Sequence, residues 1–293
     1  MPEGEAQGDD VEVTWEQARA ANLANWNERV PIHRATYGID ALTGDPRHLT
    51  QVVRTDLAAL ARYLPDGVAG TDLCHLQCHI GTDTVSLARA GARVTGVDFS
   101  APALEAAANL ATSLGIEADW VHADVLDARA AVDAALGHER SFDVVYTSIG
   151  TIGWLGDLDR WASQVAALLR PGGLFYIRDG HPALYSLDEE APELVTRYRY
   201  FNDGRAQAWD DPTSYTSADV LANTRTYEYP HPLSETLSAV LAAGLVIVGF
   251  DEGDTLPWKF SEAMVELPDG DFAFPDPLRR FLPTTFTLVA RKP

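Results

Sequence analysis

The sequence predicts an α/β architecture, a mostly parallel sheet covered by helices on both faces. Two observations carry this. From Asp72 to Ile177, short apolar runs alternate strictly with amphipathic stretches, a rhythm that requires crossover connections rather than hairpins. Two of the apolar runs also stop at an acid, Asp98 and Asp124, where a parallel strand hands over to a helix.

The opening MPEGEAQGDD is acidic and polar, and residues 1–10 read as a disordered tail. A helical cover follows over residues 11–65. From Val13 to Arg34 the spacing of Trp15, Ala18, Leu23, Trp26 and Val30 predicts one or two helices. Tyr37 to Pro46 reads as loop, and Leu49 to Tyr63 as a helix ending before Leu64-Pro65. Such a cover would suit the sheet's edge or a ligand equally well.

The core spans residues 70–178. Leu73, Cys74 and Leu76 form a first strand, then an irregular turn ends at Gly81 and a helix runs from Thr84 to Ala90, with Gly91 as its stop. Arg93 to Val97 is the second strand, closed by Asp98. Ser100 then caps a helix with Pro102 in its first turn, and Gly115 stops it. Trp120 to Ala123 is a third strand, Arg129 to Leu136 a helix, Phe142 to Thr147 a fourth strand and Asp157 to Leu169 a helix. Arg170-Pro-Gly-Gly turns into a fifth strand, Leu174 to Ile177.

The alternation then breaks. Residues 180–232 are rich in Pro, Asp, Tyr and Trp, with strand character at Val195–Phe201 and Asn223–Tyr229. Ser234 to Ala243 is a helix closed by Gly244. Leu245 to Phe250 and Thr285 to Ala290 make two edge strands around a second irregular segment, 253–283. Residues 11–293 thus read as one domain with two insertions.

Composition narrows the function. With 22 basic against 43 acidic residues the net charge is −21, which argues against a phosphate backbone as partner. No apolar run reaches the ~18 residues that cross a bilayer. Two cysteines, Cys74 and Cys78, do not make a disulfide framework, so a reduced cytoplasmic setting is expected. The expected partner is a small molecule, with neither nucleic acid nor membrane. Exposed aromatics leave homo-oligomer formation open.

Strand, tight turn, helix, strand and terminal acid form the first half of a nucleotide-binding βαβ unit. Asp98 lies 17 residues after Gly81, where a carboxylate can accept from ribose hydroxyls. With DLCHLQCHIGTDT, GVDFS, HADVLD, FDVVYTSIG and LLRPGGLFYI in this order, the chain resembles the class I S-adenosylmethionine-dependent methyltransferases. The resemblance covers Asp72 to Ile177 closely and the last helix and two strands by order. It implies a Rossmann-like, mostly parallel seven-stranded sheet and S-adenosylmethionine as cofactor. One departure stands out. The family's first motif holds an acid and a G-x-G-x-G turn, and here His75 takes the acid's place while Gln77, His79 and Gly81 occupy the glycine positions. A bacterial small-molecule branch of the family has this LQCH-x-G-x-DT form.

By the resemblance, Asp98 takes the ribose diol with Phe99 stacking on adenine, and Ser100 follows as helix cap. Asp124 and Val125 meet the adenine. Gln77, Cys78, His79 and Gly81 contact the cofactor, and Ser148, Ile149 and Gly150 line its sulfonium end. An acid at a helix N-terminus is the plainer reading of Asp98. Trp26, Arg29, His33 and Tyr37 recur at three- and four-residue steps, one helix face that would close over the cofactor through Trp26 and His33 or simply pack.

The Cys74, His75, Cys78, His79 cluster suggests zinc, yet Cys74 and His75 of one strand point to opposite faces, so no metal is expected. His75 reads as a satisfied core histidine. A catalytic base is needed only if the acceptor must lose a proton. His181, Tyr185, Asp188 and Glu189 follow the fifth strand and are the candidates, with a His-Pro turn as the plainer role of His181. Tyr185, Tyr198, Tyr200, Phe201, Trp209, Tyr215, Trp258, Phe260, Phe272 and Phe274 suit a pocket for a flat molecule, or a subunit interface. The expected reaction is methyl transfer to an aromatic or heterocyclic metabolite at O, N or C. A NAD-dependent oxidoreductase on the same βαβ unit is one rival, and a non-catalytic protein that binds S-adenosylmethionine is another.

Overall fold

The computed structural model describes residues 8–293. It begins with strand Asp9–Val11, so the expected tail is partly ordered; residues 1–7 lie outside the described part. Helix α1 (Trp15–Thr36) starts at a capping box in which Thr14 and Gln17 satisfy each other's backbone N–H. Pro31 sits within it, and the helix is continuous. A short helix, α2 (Ile39–Gly44), stands where a loop is expected; Leu42 anchors it against Val85, Leu110 and Ala111. Helix α3 (Gln51–Leu60) follows, capped by Thr50.

The core elements are β1 (Asp72–Leu76), α4 (Thr82–Arg89), β2 (Arg93–Asp98), α5 (Ala101–Ser113), β3 (Ala118–His122), α6 (Ala128–Leu136), β4 (Phe142–Ser148), α7 (Leu158–Leu168) and β5 (Leu169–Gly180). Then come α8 (Leu233–Ala242), β6 (Val246–Gly253) and β7 (Thr285–Arg291). Together the strands form one seven-stranded sheet in the order β6-β7-β5-β4-β1-β2-β3. β1 through β5 are parallel, whereas β7 runs antiparallel to both β5 and β6. The expected Rossmann-like sheet is present. β5 starts earlier than expected, because Leu169 pairs with Phe142 and the Pro-Gly-Gly segment is an irregularity inside the strand.

Alternation along the strands divides the core. Cys74 and Leu76 pack with Trp161, Val165 and Val240 on the α6–α8 face. Leu73, Val144 and Tyr146 pack with Val53, Leu60 and Leu87 on the α3–α4 face. The chain leaves β1 for β2 on one side and β4 lies on the other, so a crevice opens at the carboxyl ends of these strands.

The segment after β5 roofs that crevice. Ala206–Asp210 is the central strand of a small antiparallel sheet, between Asp9–Val11 and Arg225–Glu228. Only the last of these corresponds to an expected strand; Val195–Phe201 contributes a single bridge, between Thr196 and Leu187. α1 is fixed beneath this roof by polar bonds. Asn22 both donates to and accepts from the Tyr227 backbone at 2.8 Å, Asn25 donates to the Asn223 carbonyl at 2.7 Å, and Glu28 accepts from the Ala222 and Asn223 N–H groups at 2.9 Å.

Candidate functional site

The altered turn keeps its left-handed backbone. Gln77 and His79 have φ of 56° and 48°, and Gly81 follows at 75°. A side chain at the first two positions costs roughly 1–2 kcal/mol each, and the surroundings hold it. Gln77 Nε2 donates to the Thr151 carbonyl at 3.0 Å, and the His79 N–H donates to Asp98 Oδ2 at 2.8 Å. At Gly81 no substitute fits, since a Cβ would stand 2.7 Å from Ala107 Cβ and from the Trp120 ring. Gln77 Oε1 is buried and has no hydrogen-bond partner among the described residues.

Asp98 also accepts from the Ser100 N–H at 2.9 Å, and Ser100 Oγ in turn caps α5 through the Ala103 N–H. Burial outweighs these bonds and lifts the Asp98 carboxyl to about 6. At the end of β3, Asp124 caps the next turn through the Leu126 N–H at 2.9 Å and pairs with Arg19 Nε at 2.6 Å. Arg19, on α1, is a partner that the sequence did not suggest.

The aromatic face of α1 lies on the turn. Trp26 contacts His79 edge-on at 5.2 Å between centroids and Trp154 at 5.4 Å. His33 Nδ1 is 2.8 Å from His79 Nε2, its Nε2 is 3.0 Å from Ser214 Oγ, and Tyr37 stacks on its ring. Burial keeps both imidazoles neutral, at about 2 for His33 and about 3 for His79. His75 is equally buried, held by Thr84 at 2.8 Å, with its ring edge-on to Tyr146. Cys74 lies on the opposite face, and both cysteines are free.

The loop after β4 is shaped by one carboxylate. Asp179 accepts from the N–H groups of Gly150, Thr151, Ile152 and Gly180 and from the Thr151 hydroxyl, at 2.5–3.0 Å. Below it, buried Asp56 binds Arg178, Tyr146 and Tyr176. Asp83, beside Ser148, is bonded to Thr50 at 2.5 Å; burial raises it to about 6.

These elements surround one cavity of about 640 Å³. Of the residues expected at a site, Trp26, Gln77, Cys78, His79, Asp98, Phe99, Asp124, Val125, Ser148, Ile149, Gly150 and Tyr185 line it. His33, Gly81 and Ser100 stand one layer behind, supporting lining residues. His181 and Asp188 do not border it. The His181 N–H donates to the Thr284 carbonyl, its Nδ1 accepts from the Ala183 N–H at 3.1 Å, and its Nε2 faces Glu252 at 3.1 Å. The turn, not the crevice, orients that ring. Asp188 pairs with Arg197 at 3.2 Å.

Of the aromatics in the insertions, Tyr185, Tyr198, Trp209, Tyr215, Trp258 and Phe260 line the cavity. Phe201 is exposed, Phe272 and Phe274 pack with Leu256 and Met264 in a satellite core, and the Tyr200 hydroxyl accepts from the Leu233 N–H. Tyr185 reaches the cavity because Gly180 lacks a side chain; a Cβ there would overlap its hydroxyl. The sequence reading missed Glu228 and Arg19 as lining residues, whereas Arg29 lines the cavity from the helix face expected to cover it.

A search of curated proteins finds no match to this chain. Among solved structures, 1,6-didemethyltoxoflavin-N1-methyltransferase of Burkholderia thailandensis, with bound 1,6-didemethyltoxoflavin and S-adenosylhomocysteine, is similar at 18% identity and TM-score 0.56, over 98% of this chain and 94% of that one. An S-adenosylmethionine-dependent methyltransferase of Clostridium acetobutylicum matches at 14% identity and TM-score 0.54, over 82% and 90%. Magnesium protoporphyrin IX methyltransferase of Synechocystis, with bound S-adenosylmethionine, matches at 13% identity and TM-score 0.50, over 97% and 100%. At such identities these likenesses speak for the fold. Residues 74–175 match the family model described as a methyltransferase domain. That stretch contains the Gln77–Gly81 turn, Asp98 and Asp124, and with the sheet order above it decides against an oxidoreductase. Residues 74–175 are thus a methyltransferase domain, set in a sheet of the order described above.

Proposed function

We propose that this methyltransferase alkylates a small, flat aromatic or heterocyclic acceptor bound in the roofed end of the cavity. The observation that carries this reading is the division of the cavity wall. The carboxyl ends of the core strands present Asp98, Phe99, Val125 and Gln77, and the two insertions present Tyr185, Tyr198, Trp209, Tyr215, Trp258 and Phe260. The Burkholderia relative also takes a small-molecule acceptor.

The first set fits the methyl donor. Asp98 offers a carboxylate to a vicinal diol. Phe99 and Val125 give adenine apolar walls, and Asp124, already paired with Arg19, has lone pairs left for the exocyclic amine. Gln77 Oε1, buried and unbonded, is an acceptor suited to an ammonium. When bound, the donor supplies an activated sulfonium methyl. The protein's part is to hold both partners in line and exclude water. Ser148, Ile149 and Gly150, held by Asp179, shape the passage between the ends. Of the expected proton-handling residues Tyr185 and Glu189 border the cavity; the Tyr185 hydroxyl is held protonated by burial, and Glu189 is exposed. The free, buried thiols suit a cytoplasmic setting.

Calorimetric titration with S-adenosylmethionine and S-adenosylhomocysteine, NAD serving as control, tests the cofactor end. Wild type should bind both adenosyl ligands at micromolar Kd. Asp98→Ala should weaken them by about 10²–10³-fold, the worth of two hydrogen bonds to a charged group. Binding of NAD alone would refute the reading.

A further inference from the structure

Among the acids that line the cavity, Glu228 is distinctive. Asp98, Asp83, Asp124, Asp179 and Asp211 are each engaged by neighbouring donors, and Glu189, which like Glu228 has no side-chain partner among the described residues, is exposed where Glu228 is half-buried. Glu228 ends the roof strand Arg225–Glu228, borders the cavity, and among the described residues has no hydrogen-bond or ion-pair partner for its carboxylate. Its place is set firmly. The next residue, Tyr229, donates its N–H to the Gly153 carbonyl at 2.7 Å, and His231 Nε2 lies 2.6 Å from the Leu155 carbonyl. Glu228 is thereby pinned to the loop that follows β4, which lines the same cavity.

We propose that Glu228 takes the proton of the methyl acceptor, and that the acceptor is a neutral heteroatom nucleophile with a dissociable O–H or N–H. This rests on the methyltransferase reading of the cavity. In the step, the acceptor's proton passes to a Glu228 oxygen, and the electron pair left on the heteroatom forms the bond to the methyl carbon. The S–CH3 bond breaks with its pair remaining on sulfur, which becomes a neutral thioether. Glu228 then releases the proton to solvent through the cavity mouth.

The surroundings suit this role. Burial comes first and the charge of Glu189 on the 180–232 segment second in raising the carboxyl; Arg29 on α1 opposes them, and the balance is about 7. Tyr185 faces it from the same segment as Glu189, and its hydroxyl is itself raised by Asp179, Glu228 and Tyr215 after burial. A carboxylate poised near neutrality can accept a proton and return it within each turnover.

The test uses matched probes, phenol and benzimidazole against 4-nitrophenol and a dinitrobenzimidazole, the nitro forms being largely ionised at pH 8. Methyl transfer from labelled S-adenosylmethionine is measured for wild type, Glu228→Gln and Glu228→Asp, with cofactor affinity followed by calorimetry. Glu228→Gln should keep cofactor affinity within about threefold. It should lose about 10²–10⁴-fold in kcat/KM on the parent probes and less than tenfold on the ionised ones. Glu228→Asp should recover part of the loss. The wild-type profile on the parents should rise with pH through about 7, and that limb should vanish in Glu228→Gln. Equal losses on both probe sets, or no transfer to any probe by wild type that binds the cofactor, would overturn the proposal. Failure of wild type to bind the cofactor would instead strike the underlying reading.

Discussion

Gln77 shows how a side chain replaces a glycine's service. It accepts left-handed backbone and returns a bond to the Thr151 carbonyl while leaving Oε1 free. In Gln77→Gly, relief of backbone strain and loss of that bond are each about 1 kcal/mol, so stability should barely change. Affinity for S-adenosylmethionine should fall about 10–100-fold if Oε1 receives the ammonium; unchanged affinity would assign Gln77 a purely structural role. Asp98 adds a pH signature. Burial lifts its carboxyl to about 6 in the ligand-free fold, so this group's contribution to stability declines as pH rises through 6. Ligand binding runs the other way, because the diol needs the ionised form. Cofactor affinity should be flat above pH 7 and fall up to tenfold per unit below 6, a dependence that Asp98→Asn should abolish.

Asp98 was readable because its spacing from Gly81 is dictated by one turn and one helix. Glu228 was not, since it lies in the irregular 180–232 segment with no motif or fixed spacing to mark it. His181 misled for a related reason. A position just after a strand suggests the crevice, but Thr284 and Ala183 decide where the ring points.

At the level of elements, the loop after β4 depends on Asp179, at the far end of β5. Five donors converge on its two oxygens. Asp179→Asn turns one acceptor into a donor facing N–H groups, and should cost about 2–3 kcal/mol, a Tm loss of roughly 5–10 °C. Cofactor affinity should fall with it, since the loop lines the passage; thermal melts and calorimetry on one preparation would show both. A melt like that of wild type would show that the loop holds its shape without this carboxylate. The core strands and helices were legible because each buries one apolar face at its own period. α1 was legible as a helix but its docking was not. Its buried residues include Asn22, Asn25 and His33, which bond to partners far along the chain, and Arg29, which bonds to Asn25, and they leave no apolar stripe to read. α2 was hidden because it is six residues long and held mainly by Leu42. Strand Ala206–Asp210 escaped notice because its pairing on both sides, not its composition, makes it a strand.

Across the whole molecule, the parallel sheet and the crevice at its switch point follow from the alternation of elements, and so were visible early. The roof was visible only as irregular sequence rich in aromatics. Its architecture joins the two ends of a long stretch of chain, with Asp9–Val11 pairing to Ala206–Ala208 and α1 bonding to residues 222–227. Ring by ring, the same arrangement places Trp26, His33 and Tyr37 over the turn that the cofactor would touch. The outer edge of the sheet, by contrast, exposes Val246, Val248 and Phe250 on β6.

The pairing of Asp9–Val11 with the strand at Ala206–Asp210 also sets a timetable for biosynthesis. The first strand leaves the ribosome about 200 residues before its partner, a wait of roughly 10–40 s at ordinary elongation rates. In that interval β1 to β5, all encoded between the two, can assemble their sheet alone. The crevice therefore exists before its roof, and strand Asp9–Val11 must wait for its partner long after β1 to β5 are made.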